Sequence, residues 1–80
     1  MKKLKSLAES LGCTVEDDRE NTTLYIHAPE GKAWEGGTLS TLCHGYGSHG
    51  SYLANWRQEA IQEAFQRLTE LGEPVDDYRE

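Results

Sequence analysis

Three side chains able to hold a metal ion or move a proton stand close together in the chain. They are Cys43, His44 and His49, spaced C-H-x₄-H. A structural zinc site wants four tetrahedral sulfur or nitrogen ligands, usually supplied as two closely spaced pairs. This cluster offers one imperfect pair, and the remaining ligands would have to be Cys13 and His27 from separate elements. A small metal-binding or regulatory protein using Cys43, His44 and His49 is therefore the alternative function, and no cofactor is expected. Cys43 beside His44 also supplies a thiol and a base, but sequence neighbours point in different directions on a helix or a strand. Ser48, His49 and Ser51 have no orienting acid at a readable spacing. The run GYGSHG lacks the G-x-x-x-x-G-K-[ST] pattern and the Lys of a phosphate-binding loop. No enzyme is expected.

The acidic residues form the more informative pattern. Glu59, Glu63 and Glu70, with Gln66 between them, fall on one side of a helix. Like charges four residues apart destabilise a helix by a few tenths of a kcal/mol, roughly, so this stripe does not hold the helix together. Carboxylates one turn apart lie about 6 Å from each other, close to the phosphate spacing of a nucleic-acid strand. Glu16, Asp17, Asp18 and Glu20 make a second cluster, and Glu73, Asp76, Asp77 and Glu80 a third. An ordinary solvated face is the competing reading. Among the aromatic residues, Tyr46 is the expected exposed anchor, Trp34 and Tyr52 are further candidates for exposure, and Trp56 is expected in the core.

These residues need a scaffold. The stretch 51–71 reads as a long amphipathic helix, with Leu53, Trp56, Ala60, Ala64, Leu68 and Leu71 on one stripe, Ile61 beside it and Phe65 at its edge. Asn55 and Gln58 form a plausible capping pair, so the helix starts at Ser51 or at Asn55. Gly72 and Pro74 mark its end. Residues 2–11 read as a short helix with Leu4, Leu7, Ala8 and Leu11 on one face and Gly12 as its stop. The three lysines at its start oppose the helix dipole.

Strands are expected at Cys13–Glu16, Asn21–Ala28 and Lys32–Glu35, with EDDREN as the first turn and Pro29–Gly31 in the second. Two short connections imply a three-stranded antiparallel meander. Leu24 and Ile26 should face one way, and Tyr25 and His27 the other. Residues 38–44 fit either a short helical turn capped by Thr38, with Leu39, Leu42 and Cys43 turned inward, or a fourth strand. The glycine-rich run 45–51 reads as loop, and the tail 73–80 as frayed apart from Val75 and Tyr78. The fold class is α+β, a single domain over residues 1–80, with the long C-terminal helix packed on a small sheet.

Composition narrows the function. Eighty residues bury roughly 60–65% of the surface that the unfolded chain exposes, leaving little room for a deep cavity. The net charge is −6, and three of the eight bases are Lys2, Lys3 and Lys5. The other five face all 14 acids, so residues 6–80 carry −9. Such a surface repels phosphate, which argues against direct nucleic-acid or membrane binding and favours a basic partner. No apolar run approaches the roughly 20 residues that span a bilayer, and Glu9 and Ser10 interrupt the segment that would otherwise resemble a signal peptide. A cytoplasmic protein with reduced thiols is expected, Cys13 packing as a small hydrophobe between helix and strand.

The run LYIHAPEGKAWEGG and the later NWRQEAIQEAFQRLTELGEP resemble small proteins encoded by phages and prophages. In size, acidity and lack of catalytic residues the chain is also similar to phage anti-CRISPR proteins. That resemblance implies an inhibitor acting in the host-cell cytoplasm, binding a basic, nucleic-acid-handling complex such as a Cascade-like CRISPR effector and blocking DNA binding as a DNA mimic. It carries over no residues. The contacts expected from the helix reading are Glu59, Glu63, Glu70, Glu16, Asp17, Asp18, Glu20 and Tyr46, in a monomer or a dimer whose dimerisation through the aromatic face is a further alternative.

Overall fold

A computed structural model describes residues 1–47 and 53–78, with helix side chains from Asn55 onward. Its order is helix α1 (Lys2–Ser10), strands β1 (Thr14–Asp18), β2 (Thr23–His27), β3 (Lys32–Ala33) and β4 (Thr41–Gly45), helix α2 (Leu53–Leu71) and strand β5 (Val75–Asp76). This is the α+β fold expected, a short helix and a long helix on a three-stranded antiparallel sheet.

Helix α1 buries Leu4 and Ala8, with Leu7 and Leu11 packed at the margin. Past its end, Gly12 takes the left-handed backbone that a side chain would resist, and the Cys13 N–H returns to the Ala8 carbonyl at 2.8 Å. That glycine stop lets the chain reverse straight into β1. Cys13 is buried at this junction, which raises its thiol pKa, and both Cys13 and Cys43 are free thiols.

The sheet departs from the expected meander. Its order is β1-β2-β4, all antiparallel, and the third strand is Thr41–Gly45 rather than 32–35. Residues 38–44 hold no inward helical turn: alternation across the sheet buries Leu42, leaves Leu39 half-buried and turns Cys43 to solvent. Lys32–Ala33 pairs instead with Val75–Asp76 in a separate two-stranded ladder. The reason lies at Trp34. Its indole is buried and donates from Nε1 to the Gly72 carbonyl at 3.0 Å, drawing this segment to the end of α2 and away from the sheet. A tight turn over 35–38, closed by the Trp34–Leu39 bridge, then carries the chain back to β2. The segment after Gly72 is thus tied down by backbone pairing and by Lys32 Nζ on Asp76 at 2.8 Å, while Val75 and Tyr78 stay exposed.

Leu24 and Ile26 of β2 are fully buried in the core to which both helices contribute, and Tyr25 and His27 lie on the opposite face, as the alternation predicts. From α2, Ala60, Ile61, Ala64 and Leu68 enter the core. Small alanines at the helix–sheet contact allow close approach, and Leu68 fills the space at the far end. Asn55 lies within α2, so it is not the cap, and the proposed Ser51 start lies outside the described residues. Among the described residues no helix is long and apolar enough to cross a membrane.

Candidate functional site

The sequence-predicted residues separate into four places. Asp17 is drawn inward. Its Oδ1 accepts a 2.9 Å hydrogen bond from the Tyr46 hydroxyl, and its Oδ2 accepts from Arg57 Nε at 3.0 Å, with Arg19 at 3.5 Å. Tyr46 is therefore not an exposed anchor: it is 4% exposed and belongs to the core. Burial, followed by the Asp17 hydrogen bond and charge, raises its phenol pKa. Asp17 and Asp18 are also strand residues, so the first turn spans only 19–22.

Glu16 lies on the face of the sheet turned away from the helices. Its Oε1 stands 3.1 Å from His27 Nε2, and His27 Nδ1 stands 3.2 Å from the Thr41 hydroxyl. A carboxylate only accepts, so Nε2 carries the hydrogen. Glu, His and Thr in series suggest a proton relay, but the row crosses three strands on an open face beside the stacked Tyr25 ring. Cross-strand pairs of this kind contribute about 0.2–1 kcal/mol each to the sheet. Asp18 accepts from the Asn21 backbone and side chain, which lowers its pKa, and Glu20 is exposed in the turn.

Glu59 and Glu63 are the two acids that combine exposure with shape. They rim a depression of about 260 Å³ with Trp56, the backbone of Gly45 and Gly47, Tyr46 and Ala60. Trp56 is 42% exposed, contrary to the expected core position. It lies over Gly47, where a Cβ would collide with the indole Cε3. The missing side chain is what makes room for the ring. The Gly47 carbonyl accepts from the Thr22 hydroxyl, so the first turn, the end of β4 and the first half of α2 meet here. Glu70 lies further along the same side, taking a 3.3 Å hydrogen bond from Gln66.

The cationic N-terminus lies on the other flank. Lys2 and Lys3 line a hollow with Gln58, Ile61, Gln62 and Phe65, so α2 separates them from Glu59 and Glu63. Arg67, by contrast, interrupts the acidic flank and pairs with Glu35. It lines a second hollow of about 510 Å³ with Leu39, Thr41, Leu42, Cys43 and His44. Here His44 Nε2 is buried without a hydrogen-bond partner among the described residues. Desolvation lowers the His44 pKa, with Glu63 opposing and Arg67 reinforcing, which keeps the imidazole neutral.

Of the metal set, Cys13 is buried beneath α1, Cys43 faces the open side of the sheet, and His44 faces α2. His49 lies outside the described residues, as do Ser48, Ser51 and Tyr52. Among the described residues no group of three or more His, Cys, Asp or Glu could hold a metal ion.

Sequence reasoning missed Trp56, Arg57 and Arg67. A signal existed for Arg57: it sits among core-facing positions, where a charge needs a paired neighbour. Trp56 falls at the margin of the apolar stripe, beside Glu59 and Glu63 in helical period. Comparison with protein-family models, with curated proteins and with solved structures finds no match.

Proposed function

We propose that this chain is a non-enzymatic binding protein that docks the Trp56–Glu59–Glu63 flank of α2 onto a basic, nucleic-acid-handling protein. A CRISPR effector complex in the host-cell cytoplasm is the class of partner that the phage-protein resemblance suggests. Occupying that basic surface would exclude DNA from it.

The observation that carries this reading is the placement of Glu59 and Glu63. Both are exposed, make no ion pair among the described residues, share the rim of one depression with an exposed indole and stand on the side of α2 away from the lysines. An aromatic ring beside two carboxylates offers apolar area, cation–π contact and charge to an arginine-rich surface. Glu70 and Glu20 extend the acidic field beyond this centre, whereas Asp17 serves the fold and Glu16 the sheet.

The test is capture of partners from host lysate on the tagged protein, washed at low and high salt, beside the Glu59→Lys/Glu63→Lys variant. A CRISPR effector released by salt from the parent and not retained by the variant is the expected result. Equal retention by parent and variant would refute the assignment.

A further inference from the structure

The flank that carries Glu59 and Glu63 continues into a trough with one wall made of unused backbone. Strand β4 is an outer strand of the sheet. The Ala28 N–H donates to Ser40 O and the Tyr46 N–H to Thr22 O, so residues 40, 42, 44 and 46 spend their backbone groups on the β2 side. By the alternation of an antiparallel ladder, Thr41, Cys43 and Gly45 then present both N–H and C=O away from β2. Among the described residues no strand pairs with that edge.

The opposite wall is α2 from Trp56 to Arg67, about 16 Å at the helical rise. Five residues of extended chain span about 17 Å. The two hollows beside β4 lie end to end between these walls, the first under Trp56 and the second at Leu39 and Arg67. Leu39 and Leu42 supply apolar floor, and the orphaned His44 Nε2 is a buried polar atom without its partner. Arg67 is already engaged by Glu35, which leaves Glu59 and Glu63 as the free charges along the trough.

We infer that the trough takes an extended, lysine- or arginine-bearing segment of the partner, added as a further strand on the outer edge of β4. Its outward backbone groups pair with Thr41, Cys43 and Gly45. Side chains turned toward α2 alternate between the Leu39–Leu42 floor and the carboxylates of Glu59 and Glu63. A basic N–H donor within reach of His44 Nε2 satisfies that neutral imidazole. Main-chain pairing gives such an interaction its affinity, and the alternate side chains give it selectivity. This assignment rests on the acidic docking described above and specifies what the partner contributes.

The probe is a heptapeptide with blocked ends, Val and Lys alternating along one strand face and Thr filling the other, compared with the same peptide N-methylated on the residues whose N–H faces β4, followed by amide NMR of the full chain. Binding should shift and protect from exchange the amides of Thr41, Cys43 and Gly45. N-methylation should weaken it at least about tenfold. The Cys43→Pro variant, whose lost N–H makes no bond to β2, should keep the fold and lose the probe. If that variant unfolds, the methylated peptide decides the matter on the unaltered protein. Absence of shifts at these amides, or equal binding of the two peptides, overturns strand addition. Should Glu59→Gln/Glu63→Gln release the host partner while Cys43→Pro retains it, acidic docking stands and strand addition falls. The reverse pattern keeps strand addition and removes the acidic reading. Protection of the same amides that rises with protein concentration alone would give the edge to a second copy and overturn the proposal.

Discussion

The Tyr46 hydroxyl reaches across from the end of β4 to donate to Asp17 of β1 at 2.9 Å, and Arg57 of α2 holds the other oxygen of the same carboxylate. Three elements are pinned at one half-buried group. Tyr46→Phe should destabilise the fold by about 1 kcal/mol, the usual net worth of a hydrogen bond. Asp17→Ala leaves both donors without their acceptor and should cost more, about 1–3 kcal/mol. Urea unfolding of the two variants checks the order. Because the Tyr46 pKa is raised, its contribution is complete below the ordinary phenol value and is lost as pH rises through the folded value. The parent should lose more stability at alkaline pH than Tyr46→Phe, and equal losses would contradict the burial.

The two tryptophans should report separately. Trp34 is 2% exposed and Trp56 42% exposed, so acrylamide should quench one component of the emission readily and the other poorly. Trp56→Phe should remove the quenchable component. Trp34→Ala should cost about 3–5 kcal/mol, a large share of the roughly 4–12 kcal/mol typical for a chain of this length.

Charge at Glu59 and Glu63 affects binding and stability in opposite senses. Glu59→Lys, whose only charged neighbour one turn along α2 is Glu63, replaces a like-charge pair with an attractive one and should raise stability by about 0.3–0.5 kcal/mol. The same change should weaken partner capture and flatten its salt dependence. A variant that loses both stability and binding would mean the carboxylate is structural.

His44 sets an acid limit. Its pKa lies below the ordinary value of 6.5 because burial disfavours the charged form. The unfolded chain therefore binds a proton first. The contribution is intact above the unfolded value and is lost as pH falls from there through the folded value. Between about pH 8 and about pH 5, the parent should lose more stability than His44→Gln in urea titrations. Identical losses would place the imidazole in solvent.

Much of the fold was legible because it rests on local pattern. The Leu4–Ala8 face, the Gly12 stop, the alternation of Leu24 and Ile26, and the apolar stripe of α2 are each written in residues a few positions apart. The errors arose where distant residues decide. Whether Lys32 and Ala33 join the sheet depends on the Trp34 indole finding the Gly72 carbonyl, a pairing no short window contains. Tyr46 and Trp56 exchanged their expected environments for a similar reason. The Asp17–Arg57 pair gave Tyr46 a half-buried partner, and Gly47 offered Trp56 a flat backbone near the surface. The acids of the candidate site were visible in helical spacing, but the outer edge of β4 became visible only with the strand order.

The ladder joining Lys32–Ala33 to Val75–Asp76 has a kinetic consequence. It closes a long loop with two residues a side, and Val75 and Asp76 are both exposed, so little apolar burial rewards early closure. Such contacts are expected to form after the transition state. Lys32→Ala or Asp76→Ala should then leave the refolding rate unchanged in stopped-flow experiments while accelerating unfolding. On that outcome, the clasp would lengthen the life of the native state without helping the chain to find it.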